Sequence, residues 1–313
     1  MGHLQTESAD TNKPCYCESE HTSKIFGSVW FPVHVSHRAS PLTDRVVLRS
    51  AANPTIRHVV KLRDNRSRRK ANRVLVDGWR ETCQAIQAGL KIVGLYVSES
   101  FIGETAFTDA TRSTIEHATK LDRLIVVTDS LMDKIGYGQS CRGVVSEFAR
   151  PEREVGNLNL PNEPLILVLD RIEKPGNVGA VFRCADAAGI DAILLSDCVD
   201  LFNPNAIRSS LGAVFRVPCA EAGAVKIEAF LASRDIRGLA ARVESSASIW
   251  ETDLTGPVAI ILGSEARGLE DRWTMIGKNP VPGVRIPMAG KVDSLNVSAS
   301  AAILTFEAVR QRG

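Results

Sequence analysis

Three short strings in the C-terminal half carry residue types at spacings that suit ligand chemistry. The first is LDRIEKPGNVGAVFR, a strand end that passes through a Pro-Gly-Asn turn into a helical stretch. Backbone N–H groups at such a helix start attract anions. Its polar residues read Asn-x-Gly-x-x-x-Arg: Asn177, Gly179 and Arg183. A nicotinamide-type Rossmann domain requires G-x-G-x-x-G at this turn and an acidic ribose ligand. The middle glycine and a clear acid are both missing, which argues against that reading. The second string is VAIILGSEARGL, where glycines bracket a polar loop after a buried strand and permit close backbone approach to a ligand. Glu265 sits in that loop. The third is VRIPMAGKVDSLNVSASAA, a short strand that breaks at Pro287, passes Gly290 and reaches Ser294 and Asn296 at a helix start. Asn296 is a poor helix former, which points to a specific hydrogen bond there. Each string also has a plain reading: Asn177 or Ser294 as helix N-caps, and Gly-Ser-Glu as an ordinary turn.

A different chemistry is written near the other end. Residues 57–73, RHVVKLRDNRSRRKANR, hold eight Lys/Arg against one Asp. Such a segment suits a phosphate backbone, with Arg66, Arg68, Arg69, Lys70 and Arg73 as candidate contacts. A solvated helix or strand edge is the plain alternative. The whole chain is no polycation, because its net charge is only +2. Trp79 nearby suits core packing better than base stacking.

These residues need elements to hold them. The 313 residues suffice for two domains with a real core. Hydrophobic residues at 44% and charged residues at 24% exclude collagen, wholesale disorder and a coiled coil. No apolar run reaches the ~18 residues of a membrane span, so no membrane association is expected. No secretory signal is expected either. Seven cysteines, an odd number, fit free thiols in a reducing, cytoplasmic setting. Cys15 and Cys17 stand near His21, but no second pair completes four zinc ligands, so no metal is expected.

Residues 1–42 are polar and without period, and read as a flexible extension whose one apolar patch is Val29 to Val35. Residues 43–150 read as a small α/β domain. VLV, IVGLYVS, LIVVTD and RGVVSEF are its strands, and Trp79, Cys83, Ile86 and Leu90 recur at helical spacing. Residues 151–163 read as a linker. Residues 164–313 form a second α/β domain with a parallel sheet from LILVLD, DAILLSD, VAIILG and VRIPM. Val178, Val181, Phe182 and Ala185 mark one helix that Gly189 ends. In the last helix, Leu295, Ala299, Ala302, Ile303 and Phe306 are expected to face inward.

The strings NVGAVFRCADAAG, ILGSEARGL and IPMAGKVDSLNVSASAAILTFE, in this order, resemble the motifs of the SpoU/TrmH family of RNA ribose 2′-O-methyltransferases, in the SPOUT superfamily. DCVDLFNPNAIRSSLGAVFRVP, with Arg208, is similar to the family as well. The resemblance covers about residues 165 to 307. The segment KLRDNRSRRKANRVLVDGW is similar to the L30e-like RNA-binding domain often fused to these enzymes.

This resemblance implies an α/β catalytic domain with a deep trefoil knot, a feature periodicity would never suggest. It implies S-adenosylmethionine as cofactor, without metal, held by loops around Leu262, Gly263, Ile286, Met288 and Leu295. It implies a homodimer through the C-terminal domain. It implies structured RNA as substrate, ribosomal (23S-type) in preference to transfer RNA. The motif residues Asn177, Arg183, Glu265, Ser294 and Asn296 are then catalytic, and Arg208 joins the RNA contacts. Arg183 is the family's proposed base. A guanidinium keeps its proton above ~pH 12, so binding the RNA phosphate and stabilising developing alkoxide charge suits it better. Ser264 stands where the family often has Asn before the Glu. Two alternatives stay open: a non-catalytic RNA-binding or ribosome-assembly protein that keeps the fold, and a knotted enzyme acting on a base nitrogen. The intact motif residues argue against the first, and the SLNVS string against the second.

Overall fold

A computed structural model describes residues 46–102, 108–137, 143–245 and 247–313. The extension expected over 1–42, its patch Val29 to Val35, and Cys15, Cys17 and His21 lie outside the described residues.

The first half orders β1 (Val47–Leu48), α1 (Pro54–Lys61), α2 (Asn65–Ala71), β2 (Arg73–Asp77), α3 (Trp79–Gln87), β3 (Ile92–Ser98), α4 (Glu99–Ile102), α5 (Asp109–Lys120), β4 (Leu124–Val127), α6 (Asp129–Ile135) and β5 (Val144–Ala149). Its sheet runs β1-β4-β3-β5-β2. β5 lies antiparallel to both neighbours, while β1, β4 and β3 are parallel. All four expected strands are present.

The basic segment is helical. Asn53 caps α1 by accepting from the Thr55 N–H, and Pro54 sets its first turn. Asp64 caps α2 through the Ser67 N–H at 2.8 Å, and Asn72 ends it in the left-handed conformation. The apolar stripe Ile56, Val59 and Leu62 goes into the core, which turns Arg57, Lys61, Arg66, Arg69 and Lys70 to solvent. Arg68 does not follow them. It is 1% exposed, and its guanidinium donates to the Leu62 and Arg63 carbonyls and pairs with Asp200.

The second half orders β6 (Leu165–Asp170), α7 (Pro175–Ala188), β7 (Ala192–Ser196), α8 (Pro204–Ser209), α9 (Ala213–Arg216), β8 (Cys219–Glu221), α10 (Ala224–Ala232), β9 (Arg237–Ala241), β10 (Val258–Leu262), β11 (Met275–Ile276), β12 (Asn279–Pro280), β13 (Gly283–Val284) and α11 (Val297–Arg312). The main sheet runs β13-β9-β10-β6-β7-β8 and is parallel throughout. β6, β7 and β10 are buried at every residue, as continuous apolar runs in a parallel sheet should be. VRIPM is shorter than expected as a strand: its ladder with β9 ends at Val284, and Arg285 adds one parallel bridge to Ser248.

Three further expectations need correction or confirmation. Residues 151–163, read as a linker, are packed: Val155 and Leu158 enter the second half's core and the Glu221 N–H donates to the Arg153 carbonyl. In α11 the buried residues are Val297, Ala301, Leu304, Thr305, Glu307 and Ala308. Leu295 and Phe306 are 36% and 49% exposed. Apolar residues occur on both faces of this helix, so periodicity alone does not choose between them. Trp79 stacks on Phe101 with ring centroids 4.9 Å apart, in the core as expected.

One apolar cluster runs through both halves, from Val74, Leu95 and Phe148 to Leu167, Phe182 and Phe202. Charges reinforce it. Asp200, fully buried, receives Arg68 and also Arg150, whose Nη1 lies 2.8 Å from Oδ1. Arg208 donates to Asp77 at 3.3 Å and to the Tyr137 carbonyl.

Candidate active site

α7 begins at Pro175 with Lys174 as its cap residue, so Asn177 stands inside the first turn and is not the N-cap. Gly179 faces α8, where a Cβ would overlap the Ser209 hydroxyl and the Ala206 carbonyl. It therefore serves helix packing. The cap of α11 is Asn296, not Ser294: its Oδ1 accepts from the Ser298 N–H at 2.9 Å and from the Ser298 hydroxyl at 2.7 Å.

That cap fixes an amide chain. With Oδ1 of Asn296 occupied, its Nδ2 donates to Asn177 Oδ1 at 3.3 Å. Asn177 Nδ2 in turn donates to Glu265 Oε1. Three strings separated by 88 and 119 residues thus meet at side chains whose donor and acceptor ends are set by one another.

Beside this chain lies a cavity of about 420 Å³ at the carboxyl ends of β9, β10 and β13. Such crevices beyond parallel strand ends are where α/β sheets bind ligands, and the volume suits a mid-sized ligand. Leu262, Gly263, Ile286, Met288 and Leu295 all line it, as do Glu265 and Ser294. The loop after β10 is tight. Ser264 and Gly268 bridge, the Gly268 N–H donates to the Ser264 carbonyl, and the Arg267 N–H donates to Ser264 Oγ at 3.2 Å. A Cβ on Gly263 would overlap the Gly268 carbonyl group, so this position requires glycine.

Arg183 is exposed on α7, makes no hydrogen bond or ion pair among the described residues, and does not line the cavity. Arg208 is committed to Asp77 and Tyr137, and Arg73 donates to Glu147 at 2.9 Å. Sequence reasoning missed the charged residues of the wall: Arg242, Glu244, Arg267, Glu270, Arg285 and Asp293. Arg267 lies inside the second string and Glu270 directly follows it, so both were within reach. Arg242 and Glu244 follow β9, which carried no motif. The hydrogen bond from Arg171 holds the Glu270 carboxyl below its usual range. Burial pushes the Cys198 thiol, beneath the strand ends, up to about 12. No group of three or more His, Cys, Asp or Glu suited to a metal occurs among the described residues.

Residues 164–306 match the SpoU rRNA Methylase family, and residues 53–146 match the MRM3-like substrate binding domain. A 23S rRNA (guanosine-2'-O-)-methyltransferase, RlmB of Xylella fastidiosa, is 37% identical over 196 residues, 59% of this chain and 77% of that protein. The 23S rRNA (guanosine(2553)-2'-O)-methyltransferase RlmP of Bacillus subtilis is 26% identical over 83% of this chain and 97% of its own. A crystal structure of an RNA 2'-O ribose methyltransferase superposes with a TM-score of 0.71 at 33% identity, covering 85% of this chain and 99% of that one. The AdoMet-bound rRNA methyltransferase from Sinorhizobium meliloti shares the fold, with a TM-score of 0.74 at 24% identity, covering 85% of this chain and 97% of that one. Fold and site define an α/β protein with a ligand cavity at the carboxyl ends of a parallel sheet. The chain belongs to the SpoU rRNA methylase family.

Proposed function

We propose that this chain transfers the methyl group of S-adenosylmethionine to a ribose 2′-hydroxyl of ribosomal RNA, of the 23S type. The observation that carries the reading is the Asn296–Asn177–Glu265 chain beside the cavity. A protein that only bound RNA would have no use for three converging motifs at a ligand pocket.

The cavity residues fit the cofactor. Leu262, Ile286, Met288 and Leu295 offer apolar surface to an adenine, and Glu265, Glu244 and Asp293 offer negative charge near a sulfonium. S-adenosylmethionine supplies the methyl group already activated, and the reading requires no metal. The ribose hydroxyl is a weak nucleophile, so the protein must orient it and ease loss of its proton. Asn177 and Asn296 present fixed amide groups for orientation. Glu265 accepts from Asn177 and keeps its second oxygen for a ribose or loop hydrogen. Arg183, unpaired among the described residues, is available to an RNA phosphate and to developing alkoxide charge. Ser294 shapes the pocket rim.

The reading extends to architecture. Residues 43–150 are read as an L30e-like substrate domain that grips RNA through the exposed cations of α1 and α2, and the match of residues 53–146 to a substrate binding domain supports this. The cavity walls come from both 262–270 and 284–297, and β13 adds to the sheet edge beyond β9, which supports a trefoil knot in the C-terminal part. The outer apolar face of α11, with exposed Phe306 and half-buried Ile303, supports a homodimer. The odd cysteine count and free Cys83, Cys184, Cys198 and Cys219 support a cytoplasmic setting.

The test is transfer of labelled methyl to ribosomal and transfer RNA fractions lacking the modification, with Arg183→Ala as control. Label that resists alkaline cleavage at one ribosomal site, lost in the variant while cofactor binding persists, is the expected result. Cofactor binding without label in any fraction favours the non-catalytic alternative. A variant with near wild-type turnover removes Arg183 from the chemistry.

A further inference from the structure

The wall of the cavity formed by residues 263–270 is held from outside the cavity. Asp170, the last residue of β6, is fully buried. Its Oδ2 accepts from Arg171 Nε at 3.2 Å, and its Oδ1 lies 3.0 Å from Arg272 Nη2. Arg272 Nη2 also reaches Ser196 Oγ and Asp197 Oδ2, each at 3.2 Å. Arg171 bonds the Glu270 carboxylate at 2.7 Å, and Arg242 donates to the carbonyls of Glu270 and Arg272, both at 2.7 Å. Three arginines from three parts of the sheet thereby fasten one loop.

The backbone shows why fastening is needed. Eight non-glycine residues have positive φ among the described residues, and four belong to this assembly: Arg171, Asp197, Glu270 and Trp273. Each such conformation is disfavoured and persists only where surrounding contacts over-determine it. Asp170 supplies the buried charge that orients two of the three arginines. Without it the only carboxylate left to Arg171 is Glu270 and to Arg272 is Asp197, 44% and 57% exposed, and such exposed pairs hold a side chain weakly.

We propose that Asp170 and Arg272 are positioning residues that hold the 263–270 loop in its cofactor-binding shape, so that cofactor affinity depends on a carboxylate that never touches the cofactor. The proposal rests on the reading of the cavity as an S-adenosylmethionine site. Arg272 is specific in kind as well as charge. It reaches Asp170, Ser196 and Asp197 with the one atom Nη2, at the end of a side chain longer than lysine's, so Arg272→Lys keeps the charge and withdraws the donor.

The experiment measures S-adenosylmethionine and S-adenosylhomocysteine dissociation constants by calorimetry for the full chain, Asp170→Asn, Arg272→Lys and Arg272→Gln. RNA affinity is measured in parallel, together with tryptic cleavage after the exposed Arg267. The expected result is a rise of tenfold or more in both cofactor Kd values in every variant, with faster cleavage after Arg267. RNA affinity should stay within twofold, and kcat at saturating cofactor within about threefold. If Asp170→Asn does not fold, the two Arg272 variants carry the test. Folded variants with unchanged cofactor Kd overturn the clamp and leave the proposed function standing, as does full rescue by Arg272→Lys. A parallel fall in RNA affinity reduces the residues to general stability and also overturns it. A wild-type chain that binds neither ligand overturns the function and the clamp together.

Discussion

Arg68 Nη2 stands 3.3 Å from Asp200 Oδ2, with the two side chains 1% and 0% exposed and 132 positions apart in the sequence. The pair joins the basic helix α2 to the loop after β7. An arginine from the middle of a cationic run therefore fastens the two halves of the chain together. Arg150 shares the same carboxylate and continues to Glu221 at 3.0 Å.

Removing Asp200 leaves two guanidinium groups without their buried partner. Asp200→Ala should cost about 3–5 kcal/mol, seen as a fall in thermal midpoint of roughly 10 °C. Replacing both members with apolar residues, as in Arg68→Met with Asp200→Leu, should cost less than Asp200→Ala alone. Equal losses in the two variants would mean that the charges add nothing beyond packing.

Arg66, Arg69 and Lys70 are exposed on the same helix, and Arg68 is not. Reversing the charge of these three should weaken binding to ribosomal RNA. The salt dependence should flatten by about 0.7–0.9 in log–log slope for each phosphate that the helix no longer neutralises. Arg68→Met should lower stability and leave that slope unchanged. A slope that responds to Arg68 and ignores the other three would place the RNA-binding cations elsewhere.

Phe306 is 49% exposed on the outer face of α11 and lies beside the half-buried Ile303. In the proposed homodimer this face is covered. Phe306→Asp should shift the sedimentation coefficient from dimer to monomer at micromolar concentration, without loss of helical signal. A wild-type chain that sediments as a monomer would remove the dimer from the reading.

Burial pushes the thiols of Cys198 and Cys219 up to about 12 and about 11, from an ordinary value of 9.0. Both groups hold their protons longer in the folded chain than in the unfolded one. Their contribution to stability is complete below pH 9 and is lost as pH rises toward 11–12. Chemical denaturation midpoints from pH 8 to 11 should fall, and Cys198→Ala with Cys219→Ala should fall less steeply. In the native state at pH 8 both thiols should resist alkylation, because the thiolate is the reactive form. Rapid labelling of either would show a looser sheet end than the geometry implies.

Much of the site is legible in the sequence because its residues are local signals. Gly263 is demanded by a turn only glycine fits, and the buried strands β6 and β10 are unbroken apolar runs. The spacing of Asn177, Glu265 and Asn296 carries the family's pattern, and the five residues that line the cavity follow from it. Whatever depends on direction is not legible. Arg68 and Arg208 have the composition of RNA contacts, yet each points at an acid brought close by the chain's return. The inward face of α11 cannot be read because alanine, leucine, isoleucine and phenylalanine occupy both sides of it. Asn296, not Ser294, caps that helix, since the backbone turns two residues later than the string suggests. The Asp170–Arg272 fastening has no local sign at all. Sequence by itself determined which elements form and which loops close, because propensity, glycine geometry and apolar periodicity act over a few residues. Tertiary structure alone decided which charges meet, because a charge takes its role from the group opposite it, and that group arrives from a distant part of the chain.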